Sequence, residues 1–199
     1  DNYSVFQLQR RFFQNAISGA DQLRQRVAFA LQQIMVVACC DINFAYAHAE
    51  YQNLLLNLAF GNFETLLTEI TLNPAMGRYL DMVNNNKPSS PNDQANENYA
   101  RELLQLFSIG LYRLNADATV QTDATGRPLP SYDEDVIKGY ARTFTGWTYP
   151  PQPGAPNLRF NPPYYKGRMV ANAGNHDTGA KTLLDGAVLQ AGQTPEKDL

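Results

Sequence analysis

The densest set of side chains able to do chemistry is Asn96, Glu97, Asn98, Arg101 and Glu102, polar residues inside a stretch otherwise rich in leucine. Glu97 and Arg101 stand four apart, as do Asn98 and Glu102, the spacing at which helical side chains meet on one face. Two carboxylates are the minimum for hydrolysing a glycosidic bond. Five steps of about 100°, however, set Glu97 and Glu102 about 140° apart around a regular helix, so they do not face each other. Each would need a partner from elsewhere, and Asp135, Arg142 and His176 are the candidates. Two readings stand side by side. One is a solvated face with modest ion pairing; the other is a buried network of Glu97, Asn98, Arg101, Glu102, Asp135 and Arg142 that fixes helix register.

The chain has two histidines. His48 sits between alanines in a helical stretch and reads as a packing or surface residue. His176 lies in the Asn/Gly-rich turn from Asn172 to Asp177, a setting in which binding-site side chains are displayed. An imidazole there could act as general base or metal ligand, with Asp177 orienting it and Lys181 beside it. The plainer reading is that Asn175, His176 and Asp177 hydrogen-bond their own turn. A metal would further require Glu97 or Glu102 to converge on the histidine, and no residue spacing marks a metal site or a cofactor. Trp147, Tyr149, Phe160, Tyr164 and Tyr165 surround a stretch with six prolines between 149 and 163. Those rings form either a partner or ligand surface or a small core pinning the segment. No GxSxG elbow, phosphate-binding loop or dinucleotide fingerprint occurs.

Helices must position most of these groups. Apolar periodicity predicts helices through Val5–Ile17, Leu23–Ile34 and Ala45–Phe60, then one capped by Asn62 and a short one opened by Pro74. Asn96 can cap the Leu-rich helix that Gly110 closes, and Ser131 to Glu134 matches a capping box for a helix running to Phe144 and ended by Gly146. Asp123 to Gly126 reads as the turn of a small hairpin between Val120 and Leu129. Tyr164 to Val170 and Lys181 to Leu184 read as short strands with the Asn172–Asp177 turn between them. The expected fold is mainly α: a multi-helix bundle with long irregular loops and one small β-hairpin. It forms a single helical domain made of a helical half (1–82), a polar loop (83–94), a two-helix core with an inserted loop (95–146) and a Pro/aromatic-rich segment (147–199).

Composition sets the outer bounds. The 199 residues are 44% hydrophobic, 11% aromatic and 18% charged, enough to bury a substantial core. Sixteen basic against nineteen acidic side chains give a net charge of −3, without the basic footprint of a nucleic-acid binder. No apolar run is long enough for a membrane span. Cys39 and Cys40 are adjacent and read as two packed thiols at a helix end, with a strained vicinal disulfide or an intermolecular bridge as the alternatives.

Several strings together carry a resemblance: RVAFALQQIMVV (26–37), AFGNFETLLTEITLNPAMGRYLD (59–81), NENYARELLQLFSIGLYRLN (96–115), ARTFTGW (141–147) and HDTGAKTLL (176–184). In this order they resemble the bacterial family catalogued as domain of unknown function 1800. The resemblance implies an exported protein, periplasmic or extracellular, with no assigned reaction. It also implies a second exported protein of the sulfatase and alkaline phosphatase group as a neighbour. Family members are usually longer, so this chain is expected to be an internal segment whose remaining polypeptide is its first partner. Apolar faces near Phe6, Phe12 and Phe13, and around Leu183 and Leu184, are then expected to be covered by what the chain does not supply. Two functions stay open. The first is a scaffold or interaction protein. The second is a hydrolase or lyase on an extracellular polymer, using Glu97, Glu102 and His176 with Asp177, with or without a metal.

Overall fold

The computed structural model describes residues 5–39, 41–90 and 92–199. The fold is mainly α, and the chain divides into two compact units: Asp1–Val83 with Thr148–Val170, and Asn84–Trp147 with Ala171–Leu199. Cys40 lies outside the described residues, and with it the reading of the cysteines as a pair; Cys39 itself is exposed.

The first unit contains helices α1 (Val5–Ser18), α2 (Gln22–Ile34), α3 (Ala45–Leu58), α4 (Phe63–Thr71) and α5 (Pro74–Tyr79). Helix α3 buries Ala47, Tyr51 and Leu55 at i, i+4 and i+8, a core-facing stripe. His48 is buried with them, its Nε2 lying 3.0 Å from the Ile42 carbonyl oxygen, and the Tyr51 hydroxyl donates to the Met35 carbonyl at 2.6 Å. Asn62 caps α4 by accepting from the Thr65 N–H, and Asn73 caps α5 ahead of Pro74. In α1 no side chain is buried, and Phe6 and Phe13 are 78% and 62% exposed. Leu183 and Leu184, in the other unit, are half-buried.

The Pro-rich return segment is pinned by polar and aromatic groups together. Asn161 donates to the Tyr149 carbonyl at 2.6 Å and accepts from the Leu158 N–H at 2.8 Å, while its own N–H donates to the Thr148 hydroxyl at 3.1 Å. The Tyr165 ring packs edge-on against Tyr149 and beside Phe44 and Tyr46. Burial pushes the Tyr149 phenol well above its ordinary range, reinforced by its hydrogen bond with Tyr165. The Met169 N–H donates to the Leu72 carbonyl at 2.7 Å, fastening the far end.

The second unit is built on α6 (Asn98–Gln105) and α7 (Glu134–Thr143). Tyr99, Leu103, Leu104 and Phe107 of the α6 region and Ile137, Ala141 and Phe144 of the α7 region are buried, and the Tyr99 and Phe144 rings meet edge-to-face at 5.1 Å. Asn96 accepts from the Asn98 N–H at the start of α6. At α7 the cap is Asp133, which accepts from Val136, where the sequence placed Ser131. Asp133 is the residue whose extended backbone immediately precedes the first helical turn. Between the helices, residues 111–130 form an exposed ribbon tied by bridges Tyr112↔Pro130, Leu114↔Val120 and Thr122↔Pro128, with Asp123 holding the predicted turn.

Strands β1 (Trp147–Thr148) and β2 (Val170–Ala171) lie where the sequence passes from one unit to the other. Strand β3 (Lys181–Thr182) pairs forward, antiparallel with β4 (Val188–Leu189), a strand the sequence did not signal. The short helix α8 (Pro195–Asp198) ends the described chain. Helix α7 lies so close to β3 that a Cβ at Gly139 would run into the Thr182 carbonyl oxygen. Glycine at 139 is a packing requirement.

Candidate functional site

The chemistry-bearing residues of the second unit separate into a buried cluster and a surface cluster. The buried cluster starts from the end of α7. Gly146, at φ +86°, turns the chain so that a Cβ there would lie 2.9 Å from both the Asn172 carbonyl oxygen and the His176 Cβ. This close approach sets Thr145 against the 3-10 turn Ala173–Asn175 and the His176–Asp177 dipeptide that follows. The Thr145 hydroxyl donates to the Arg142 carbonyl at 2.7 Å and accepts from the Asp177 N–H at 2.8 Å. His176 Nδ1 lies 2.8 Å from the Thr145 carbonyl oxygen. A carbonyl only accepts, so Nδ1 carries the hydrogen.

The other ring nitrogen reaches Asp198 of α8, with Nε2 2.9 Å from Oδ2. That contact closes only with a hydrogen on one of the two atoms, since a bare Nε2 facing a carboxylate would set two acceptors together. Lys181 of β3 donates to the same oxygen at 2.6 Å, and also to the carbonyls of Asp177 at 2.5 Å and Gly179 at 3.1 Å. All three ammonium hydrogens thus have acceptors. The side chains of His176, Lys181 and Asp198 have no exposed surface. Asp198 Oδ1 is buried without a hydrogen-bond partner among the described residues.

Asp177 does not orient His176. It faces Arg142, whose Nε and Nη2 donate to its two oxygens at 2.8 and 2.9 Å, and the Gly179 N–H adds a third bond. Burial alone would raise the Asp177 carboxyl; the guanidinium and the amide outweigh it and hold it below its ordinary value. Arg142 Nη1 also donates to the Ala180 carbonyl at 3.0 Å, closing the turn on α7.

The surface cluster lies on α6. Arg101 bridges Glu97 at 2.8 Å and Glu134 at 3.1 Å, with the three side chains partly or largely exposed. The hydrogen bond from Arg101 keeps the Glu134 carboxyl below its usual range. Asp135 is apart from this bridge: its side chain is 92% exposed and pairs with Lys138 at 3.5 Å. A helix register network therefore does not include Asp135, because it points off α7 into solvent. Glu102 and Asn98 are half-buried. Glu102 Oε2 and the Tyr132 hydroxyl are buried without hydrogen-bond partners among the described residues, and burial raises the Tyr132 phenol.

A cleft of about 170 Å³ brings the two clusters' edges together, lined by Pro88, Asp93, Gln94, Ala95, Glu97, Lys138, Ala141 and Arg142. Glu97 and Arg142 both line it, while His176, Asp177, Glu102 and Asp198 do not. Among the described residues no three His, Cys, Asp or Glu side chains gather as a metal site. Trp147, Tyr149 and Tyr165, read from the sequence as a partner or ligand surface, are each 4% exposed, and Tyr164 is half-buried. Those first three rings fill interior positions because apolar area is best removed from water, whereas Phe160 is 44% exposed. Asp198 and Thr145 were missed by sequence reasoning. Thr145 lies within ARTFTGW, one of the strings that carry the resemblance, whereas Asp198 stands 22 residues from His176 with nothing local to mark it.

Comparison with known proteins adds one match. The family model described as "Protein of unknown function (DUF1800)" matches residues 2–198. No curated protein and no solved structure matches.

Proposed function

The chain belongs to the family of proteins of unknown function DUF1800, and since no reaction comes with membership, we propose that it is an exported helical scaffold that works by binding a second exported protein. One observation carries this reading. Along 106–120 of the second unit, Leu106, Ile109, Leu111, Tyr112, Leu114 and Val120 are all between 43% and 56% exposed. Exposed apolar groups concentrated in one short segment make it the natural place for a partner to dock.

The groups able to do chemistry support the same reading. His176 has no exposed atom and is hydrogen-bonded at both ring nitrogens, so it meets no substrate in this arrangement. Glu97 is engaged by Arg101 and Arg142 by Asp177. The partner is a second exported protein of the sulfatase and alkaline phosphatase group. Co-expression of the two, followed by size-exclusion chromatography with light scattering, tests the proposal. A complex is expected, and Leu114→Lys with Val120→Lys should dissolve it while leaving the circular dichroism spectrum unchanged. Absence of a complex, or one indifferent to both lysines, would refute the scaffold reading.

A further inference from the structure

A pocket in the first unit is unused by that reading. It measures about 320 Å³ and is lined by Glu50, Asn53, Leu54, Asn57, Leu58, Glu69, Asn73, Tyr165, Gly167 and Arg168. Its origin is the periodicity of α3. Positions 47, 51 and 55 go into the core. Glu50, Asn53, Leu54, Asn57 and Leu58, at i, i+3, i+4, i+7 and i+8, form a second face that turns toward the pocket. The facing wall comes from Glu69 on α4, Asn73 between α4 and α5, and the end of the return segment at Tyr165, Gly167 and Arg168.

The wall is partly preorganised. Arg168 grips Glu69 with two donors, Nε to Oε2 at 2.9 Å and Nη2 to Oε1. Asn73 is buried and held by the Ala75 N–H at 2.9 Å. Tyr165 is fixed by its ring contacts with Phe44, Tyr46 and Tyr149. Glu50, half-buried on the opposite side, has no ion-pair partner among the described residues.

We infer that this pocket binds a neutral saccharide of one or two rings. Three physical points select that class. Asparagine amides supply both donors and acceptors, carboxylates supply acceptors and the guanidinium supplies donors; this mixture suits hydroxyl groups, which need both. Leu54, Leu58 and Tyr165 give the wall apolar area for the carbon-bound hydrogens of a pyranose. Glu50 and Glu69 against Arg168 leave one net negative charge, which disfavours phosphates and uronic acids. The volume is at the lower end of the roughly 300–1,000 Å³ usual for ligand pockets, which excludes large cofactors.

The inference does not depend on the scaffold reading, since Asn53 and Asn57 are far in sequence from the 106–120 surface and belong to a different unit. Isothermal titration of the chain with cellobiose, N,N′-diacetylchitobiose and maltose tests it, with digalacturonate and inorganic phosphate as acidic probes. At least one neutral disaccharide is expected to bind with a Kd of about 1 mM or tighter. Asn53→Ala with Asn57→Ala should weaken it about tenfold or more, the loss expected from two hydrogen bonds. Both asparagines are exposed on a helix and alanine is the better helix former, so the variant keeps its fold. Glu50→Gln should admit digalacturonate, which the parent excludes. No heat from any neutral sugar at about 10 mM, binding indifferent to the double alanine variant, or tighter binding of phosphate or digalacturonate than of the neutral sugars would overturn the assignment.

Discussion

Lys181→Met is the substitution that asks most of the buried cluster. Methionine keeps the length and apolar stem of lysine, so the change removes the ammonium and little else. Lost with it are the bonds to Asp198 Oδ2 and to the carbonyls of Asp177 and Gly179. Lys181 and Asp198 have no side-chain exposure, so solvent cannot screen the loss. Losing the ammonium leaves Asp198 Oδ2 and two carbonyls short of a buried donor, and at about 1–3 kcal/mol for each such group the cost should be about 3–5 kcal/mol. Trp147 is the single tryptophan, is buried and belongs to the second unit, so its fluorescence reports on the unit that holds the cluster. With a urea slope of about 2 kcal/mol/M, the midpoint should fall by about 1.5–2.5 M. Adding Asp198→Asn should then raise the midpoint again, since the amide can donate to His176 Nε2 and a neutral pair needs no ammonium to support it. A Lys181→Met midpoint within about 0.5 M of the parent, or a double variant less stable than the single, would refute the account of the cluster as one hydrogen-bonded unit.

Asp177→Asn should destabilise the second unit near neutral pH, and the gap should close in acid. The folded carboxyl is held below its ordinary value, so its contribution is present above the unfolded value of about 3.9 and is lost as pH falls through the folded one. Urea midpoints of parent and variant between about pH 6 and pH 3 check this. Gly139→Ala gains about 1 kcal/mol of helix propensity but sets a methyl against the Thr182 carbonyl oxygen. A net loss of about 1–2 kcal/mol is therefore expected in the same urea assay. Asn161→Ala removes the bonds to Tyr149 and Leu158, so limited proteolysis should cut sooner between residues 150 and 163, while the Trp147 midpoint stays within about 0.5 M of the parent.

The sequence by itself determined the helices, because a 3.6-residue apolar period and local caps are written in consecutive residues. Helix α3, the cap Asn62 before α4, Pro74 at the start of α5 and the turn at Asp123 were all legible for that reason. So was membership in the family, which the strings from Arg26 to Leu184 carry and the match over 2–198 shows. The i,i+4 bridge of Glu97 to Arg101 was also readable, being a contact within one helix.

What only the tertiary structure decided is which distant groups meet. His176 could have taken Asp177, its neighbour; it takes Asp198 instead, while Asp177 goes to Arg142. Sequence proximity favours neither outcome, since adjacent residues outside a helix point in directions set by the turn, here by the close approach of Gly146 to residues 172 and 176. The partner of β3 and the pocket wall opposite α3 were hidden for the same reason. Both join segments whose spacing in the chain carries no period, and only packing brings them together.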